Sequence, residues 1–173
     1  MKNEVDVYLH PEHRRLMIVM KRLVIVILLL IPLQGCGTKT INSSSVEGKL
    51  VTRINSTCQS SSVCTIRVKD VTNFDWDKMY VFKHTATSDQ MNKAVGLPLP
   101  PYEEFERKII FVNVGKVVYS EADPTDVEKP IDQEVVFDIP DDAQYKSYGR
   151  DSVFKVTRKS FSNGVYYELR LVD

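Results

Sequence analysis

The sequence predicts an α+β domain, mostly antiparallel β, arranged as a single sheet of hairpins with one short helix. Three observations predict it. Short runs rich in Val, Ile, Thr, Tyr and Phe recur between clusters of turn-forming residues. Asn163-Gly164 sits between two such runs and is the strongest local hairpin signal in the chain. No long amphipathic stretch is present to serve as a crossover helix, so parallel βαβ units are not expected. The folded part is expected over residues 46–173, as one domain without internal repeats.

Taken in order, 46–57 and 64–71 read as a first hairpin around the loop 59–63. Continued pairing puts Ile54 opposite Val68 and Ser56 opposite Ile66, and gathers Leu50, Ile54, Ile66 and Val68 on one face. The turn formers in 73–77 break the pattern, and 79–82 resumes as a short buried strand. Thr87-Ser88-Asp89 offers an N-cap and Gly96 a stop, which predicts the one helix over 88–95. Leu97-Pro98-Leu99-Pro100-Pro101 excludes a central strand or helix and reads as an extended connector. Runs at 108–112 and 116–120 flank Asn113-Val114-Gly115, a three-residue hairpin loop with a bulge. Residues 122–133 read as a polar loop and 134–139 as a strand stopped by Pro140. In the last hairpin a turn at Asn163-Gly164 pairs Phe161 with Tyr166, Lys159 with Glu168, Thr157 with Arg170 and Val156 with Leu171. Phe154, Val156, Tyr167, Leu169 and Leu171 then form the buried face.

Ahead of this domain stands Lys21-Arg22, an uninterrupted apolar run over 23–33, and Leu33-Gln34-Gly35-Cys36. A membrane span needs about 20 apolar residues, whereas an export signal needs about 7 to 15, so the run is read as a signal. Leu33-Gln34-Gly35-Cys36 resembles the lipobox of bacterial lipoproteins. The resemblance implies removal of residues 1–35 and acyl chains on Cys36, with 36–45 as a flexible tether. Multiple acyl chains give durable anchoring at about 0.8 kcal/mol per buried CH₂. Gly37 rather than Asp after the Cys implies the outer membrane, facing the periplasm, in a bacterium with two membranes. Residues 1–19 carry Glu4, Asp6 and Glu12, unusual ahead of an export signal, so translation is expected to start at Met17 or Met20, the alternative being a long, tolerated n-region. A second resemblance, of 75–82 and the helix ending at Val95-Gly96 to small uncharacterised bacterial envelope proteins, carries no activity.

The chain has 23 basic and 23 acidic residues. Removing residues 1–35 takes away five basic and three acidic ones and leaves a net charge of −2. No basic stripe stands out, which argues against a nucleic-acid partner. Cys58 and Cys64 remain as an even pair and are expected to form a disulfide that pins a hairpin tip. Free thiols or metal ligation are the alternatives, but there is no C-x₂-C and no cluster of histidines.

Chemistry-bearing candidates are sparse. Asp75 and Asp77 flank Trp76, and Asp141 and Asp142 follow Pro140. Such neighbours more often cap turns than face each other across a cleft. Trp76 reads as a core or rim anchor. Glu103, Glu104, Glu106, Asp123, Asp126 and Glu128 lack the spacing of a calcium loop and read as a solvated face. His84 is the one histidine after Cys36, and no G-x-S-x-G, P-loop or G-x-G-x-x-G motif accompanies it. No enzyme, cofactor or metal is therefore expected. The expectation is a non-catalytic, membrane-anchored envelope lipoprotein binding a protein or envelope component, with Tyr80, Phe82, Tyr102 and Tyr166 as partner-facing aromatics. The alternative is an anchored periplasmic hydrolase using Asp75, Asp77 or His84.

Overall fold

The computed structural model describes residues 40–58, 64–102, 105–123, 125–126, 129–162 and 164–172. Two α-helices and eight strands form among them: α1 Val46–Thr57, β1 Cys64–Ile66, β2 Lys78–Phe82, α2 Ser88–Val95, β3 Arg107–Asn113, β4 Lys116–Asp123, β5 Val135–Phe137, β6 Tyr145–Gly149, β7 Phe154–Phe161 and β8 Gly164–Leu171. The α+β class with mostly β content holds. The single sheet does not: the strands divide into two four-stranded sheets, ordered β1-β7-β8-β5 and β4-β3-β2-β6. The pairs are antiparallel except β5 with β8, which run parallel.

The largest correction is α1, where the sequence suggests a strand. Residues 46–57 are rich in β-branched side chains, and the four-residue step from Leu50 to Ile54 fits a strand face and a helix face alike. Val51 separates the two readings. In a strand it would oppose Leu50; here both are buried with Val46 and Ile54, the stripe a 3.6-residue period produces. Each fully buried aliphatic of this stripe contributes roughly 1.5–3 kcal/mol. Residues 42–45, expected in the tether, belong to the head of this helix. Ser45 is the N-cap, its Oγ accepts from the Gly48 N–H at 3.0 Å and donates to the Asn42 carbonyl at 2.7 Å. With α1 helical, β1 pairs with β7 instead.

Met79, Val81, Ile109, Phe111 and Tyr148 pack with Phe137, Phe154, Tyr167, Leu169 and the α1 stripe into the main core. Alternate residues of the same strands, Tyr80, Phe82, Ile110 and Val112, close a second core with Met91 of α2. Burial on both faces explains why β2 and β3 read as continuous apolar runs. It also corrects the partner-facing role of Phe82 and Tyr80, which are 0% and 9% exposed. The helix α2 falls where the sequence puts it. Thr87 and Gln90 form a reciprocal capping box, and Gly96 ends the helix at φ 75°.

Two hairpins keep their strands and change their connections. Asn113 pairs with Lys116, so the loop has two residues, Val114 and Gly115, at φ 48° and 71°, and the bulge lies further along, at Phe111/Val112. In the last hairpin Phe161 pairs with Gly164 and Val156 with Leu169, a shift of two residues from the expected register. Asp132 braces the start of β8 in this arrangement. Its carboxylate accepts the Val165 N–H at 2.9 Å and packs where a Cβ on residue 164 would stand. Gly164 thus serves close approach rather than the turn. An even shift preserves the faces, so the predicted buried set remains in or against the core. Lys159 still reaches Glu168, diagonally, at 4.0 Å. β6 has no counterpart in the sequence reading, because Tyr148 is its one buried side chain.

The disulfide between Cys58 and Cys64 is present, with Cα atoms 5.4 Å apart. It ties the C-cap of α1 to the first residue of β1 rather than joining two strands. The loop 59–63 lies outside the described residues. Its short span limits the entropic gain, so replacing both cysteines by Ala is expected to lower unfolding free energy by about 2 kcal/mol, read from urea titrations. Gly48 gives a sharper test. Gly→Ala inside a helix normally stabilises by about 0.5–1 kcal/mol. Here a Cβ would collide with the Asn42 carbonyl oxygen and come within 2.7 Å of Ser43 Cα. Gly48→Ala should therefore destabilise, by about 1–3 kcal/mol as overpacking does, in the same titration.

Candidate functional site

The chemistry concentrated in this fold is a buried charge cluster at the head of α1. Glu47 comes from α1, Arg107 from β3, Tyr119, Glu121 and Asp123 from β4, and Glu134 from the residue before β5. Glu47, Asp123, Glu134 and Glu121 are between 0% and 9% exposed. The sequence hides this site. Glu121 and Asp123 alternate with Ala122 in a stretch that looks like the start of a polar loop, whereas β4 runs on to Asp123 and turns both carboxyls inward. Asp123 is accordingly not part of a solvated acidic face; Glu103, Glu104 and Glu128 lie outside the described residues.

The cluster satisfies the free N–H groups at the start of α1. Glu121 accepts from Val46 N at 2.7 Å and Glu47 N at 3.0 Å, and from the Tyr119 hydroxyl at 2.7 Å. A carboxylate there also complements the positive end of the helix dipole. Glu47 Oε1 in turn accepts from Arg107 Nη2 at 2.8 Å and from Val135 N at 2.6 Å. Arg107 Nη1 donates to the Val135 carbonyl, and Nε lies 3.2 Å from Glu134 Oε1, too far off line for a hydrogen bond. Glu134 Oε2 accepts from Ile131 N at 3.0 Å.

Glu47, Glu134 and Asp123 act on the Arg107 guanidinium and Glu121 lies beside them, so full ionisation would bury excess negative charge. Burial raises the Asp123 carboxyl to about 9, and the Glu47 and Glu121 charges and a hydrogen bond to Glu47 push the same way, against Arg107. Burial also raises Glu134, opposed by Arg107 and by the Ile131 N–H. Burial disfavours the charge on Arg107, but Glu47, Glu134 and Asp123 outweigh it and hold the guanidinium proton more firmly. Burial and Glu121 together raise the Tyr119 hydroxyl. Glu47 Oε2 and Asp123 Oδ2 are buried with no hydrogen-bond partner among the described residues.

The residues singled out in the sequence lie elsewhere. Trp76 is 2% exposed, packs edge-on to Phe111 at 5.1 Å and donates to Thr72 Oγ1 at 3.0 Å. Asp75 pairs with Arg150 at 2.9 Å on the surface. Asp77 Oδ2 accepts the Val114 N–H at 2.9 Å and holds that residue in its left-handed turn. Asp77 precedes β2 and His84 follows it. At about 3.3 Å per residue the strand keeps these two apart by far more than catalytic contact allows. Tyr102, its ring 5.7 Å from Lys108 Nζ, packs against the second core, and Tyr166 lies 6.4 Å from Phe161 on the outer face of β7–β8. Cys36 lies outside the described residues. Among the described residues no three His, Cys, Asp or Glu side chains converge to hold a metal ion.

No family model, curated protein or solved structure matches the chain. Arg107→Leu should destabilise by about 3–5 kcal/mol, because it leaves the surrounding carboxylates without their counter-charge. The loss should shrink on acidification, as those carboxyls take up protons; chemical denaturation at two pH values reads both.

Proposed function

We propose that this chain is an exported lipoprotein of the bacterial envelope, cut before Cys36, acylated on that sulfur and held at the membrane. Residues 46–173 act as a non-catalytic module that binds a protein or another envelope component. The observation that carries this reading is Leu33-Gln34-Gly35-Cys36 directly after an 11-residue apolar run. The Cys58–Cys64 disulfide supports it, since such bonds persist in oxidising compartments. So does the burial of the densest cluster of ionisable groups. Glu47, Arg107 and Glu134 are spent on the backbone and on one another, which suits a structural role better than turnover. In a bacterium with two membranes, Gly37 favours the outer membrane, facing the periplasm, for the mature protein.

The test is Cys36→Ser in living cells. The parent protein should incorporate radiolabelled palmitate, lose residues 1–35 and pellet with membranes. The variant should take up no label and keep its full-length precursor mass. A variant that is trimmed to the parental size and still pellets would show that the sulfur carries no anchor.

A further inference from the structure

We propose that the first turn of α1 is a proton-operated latch: a proton shared between Asp123 and Glu47 holds it on the sheets, and losing that proton frees it. The inference stands on the cluster and needs no lipid on Cys36.

The hydrogen bonds that tie this turn to the sheets pass through the cluster, beside the packing of Val46 in the main core. Val46 N and Glu47 N are held by Glu121, and the Glu47 carboxylate holds Arg107 and Val135 N. The charged and titratable groups facing Asp123 come from each neighbouring element. They are Glu47 from α1, Arg107 from β3, and Tyr119 and Glu121 from β4; Glu134 lies beyond, linked through Arg107 and Glu47, and Asp126 acts on Glu134. Lys108 alternates to the other face of β3, where its Nζ lies 5.7 Å from the Tyr102 ring. Removing the shared proton would leave two adjacent buried carboxylates with Glu121 beside them and Arg107 as the counter-charge. Such a pair cannot stay dry and fully ionised. Hydrating it requires the first turn to move.

The opposite end of α1 cannot follow. Cys58, its C-cap, is bonded to Cys64 at the start of β1. Opening is therefore a hinged lift of the N-terminal turn, the end joined to residues 1–45, rather than loss of the helix.

The sign follows from linkage. Asp123 is raised to about 9 in the closed form, from an ordinary value of 3.8. The closed form thus binds the extra proton, and its advantage is complete below the ordinary value. It is lost as pH rises from there toward 9. Across that interval the opening constant should rise about tenfold per pH unit, the slope of one linked proton.

Hydrogen exchange on the full chain, with its disulfide intact, reads this directly. After correction for the intrinsic base-catalysed rate, protection at Val46, Glu47, Gly48 and Val135 should fall about tenfold per pH unit between about pH 6 and 8, while β7–β8 amides hold theirs. Asp123→Asn, which keeps a hydrogen-bond donor toward Glu47, should abolish that slope. Infrared spectra of protein with isotope-labelled aspartate should show a protonated carboxyl at neutral pH that disappears in alkali. This measurement uses the unmutated chain and so does not depend on the variant folding. Equal loss of protection in α1 and β7–β8, an unchanged slope in Asp123→Asn, or no protonated aspartate band at neutral pH each overturns the latch.

Discussion

The guanidinium of Arg107 joins segments that lie 60 and 28 residues from it in the chain, Glu47 on α1 and the Val135 carbonyl on β5. Its position constrains much of the architecture. The Glu47 carboxylate also takes Val135 N, so the helix, β3 and the parallel edge strand β5 are set against one another by one buried ion pair. Removing charges from water is costly, and the attraction between them repays that cost only when every remaining donor and acceptor is occupied. The cluster approaches that condition by handing its spare carboxylate oxygens to backbone N–H groups that helix geometry leaves empty. The helix start and the ion pair thus solve each other's problem: Glu121 needs donors, and α1 needs acceptors.

This mutual arrangement is what the sequence conceals. The helix α2 is legible because its signals are local: a cap, an N3 glutamine and a terminal glycine within ten positions. The β2, β3, β4, β7 and β8 strands are legible because their apolar periodicity is local too. The helix α1 is not, because its β-branched composition favours extended chain. What overrides it is the fit of Val46, Leu50, Val51 and Ile54 to a core assembled from distant strands. The candidate site was hidden for a related reason. Glu47, Glu121 and Asp123 look like ordinary surface acids, and nothing in their spacing announces that two strands and a helix will cover them. The parallel β5–β8 pairing is equally non-local, since paired residues such as Val135 and Tyr167 are 32 positions apart and no helical crossover marks it.

The sheet β4-β3-β2-β6 has a second consequence for how the domain is organised. Its central strands present side chains alternately to the main core and to the smaller core beneath α2. A change of volume at Ile110 is felt under α2, and one at the adjacent Phe111 is felt by Trp76, Phe74 and Tyr119. Close packing on both sides leaves these strands little room to adjust, so they form the rigid frame on which the charge cluster and α2 are both hung.

The β7–β8 hairpin is more permissive. A two-residue offset between its strands leaves inner and outer side chains on their faces, and the observed register differs by that amount from the one its turn residues suggest. Chain-length variation at this tip should therefore be tolerated in multiples of two and rejected in single steps, which gives the domain an even-numbered rule for how its end can lengthen over evolution.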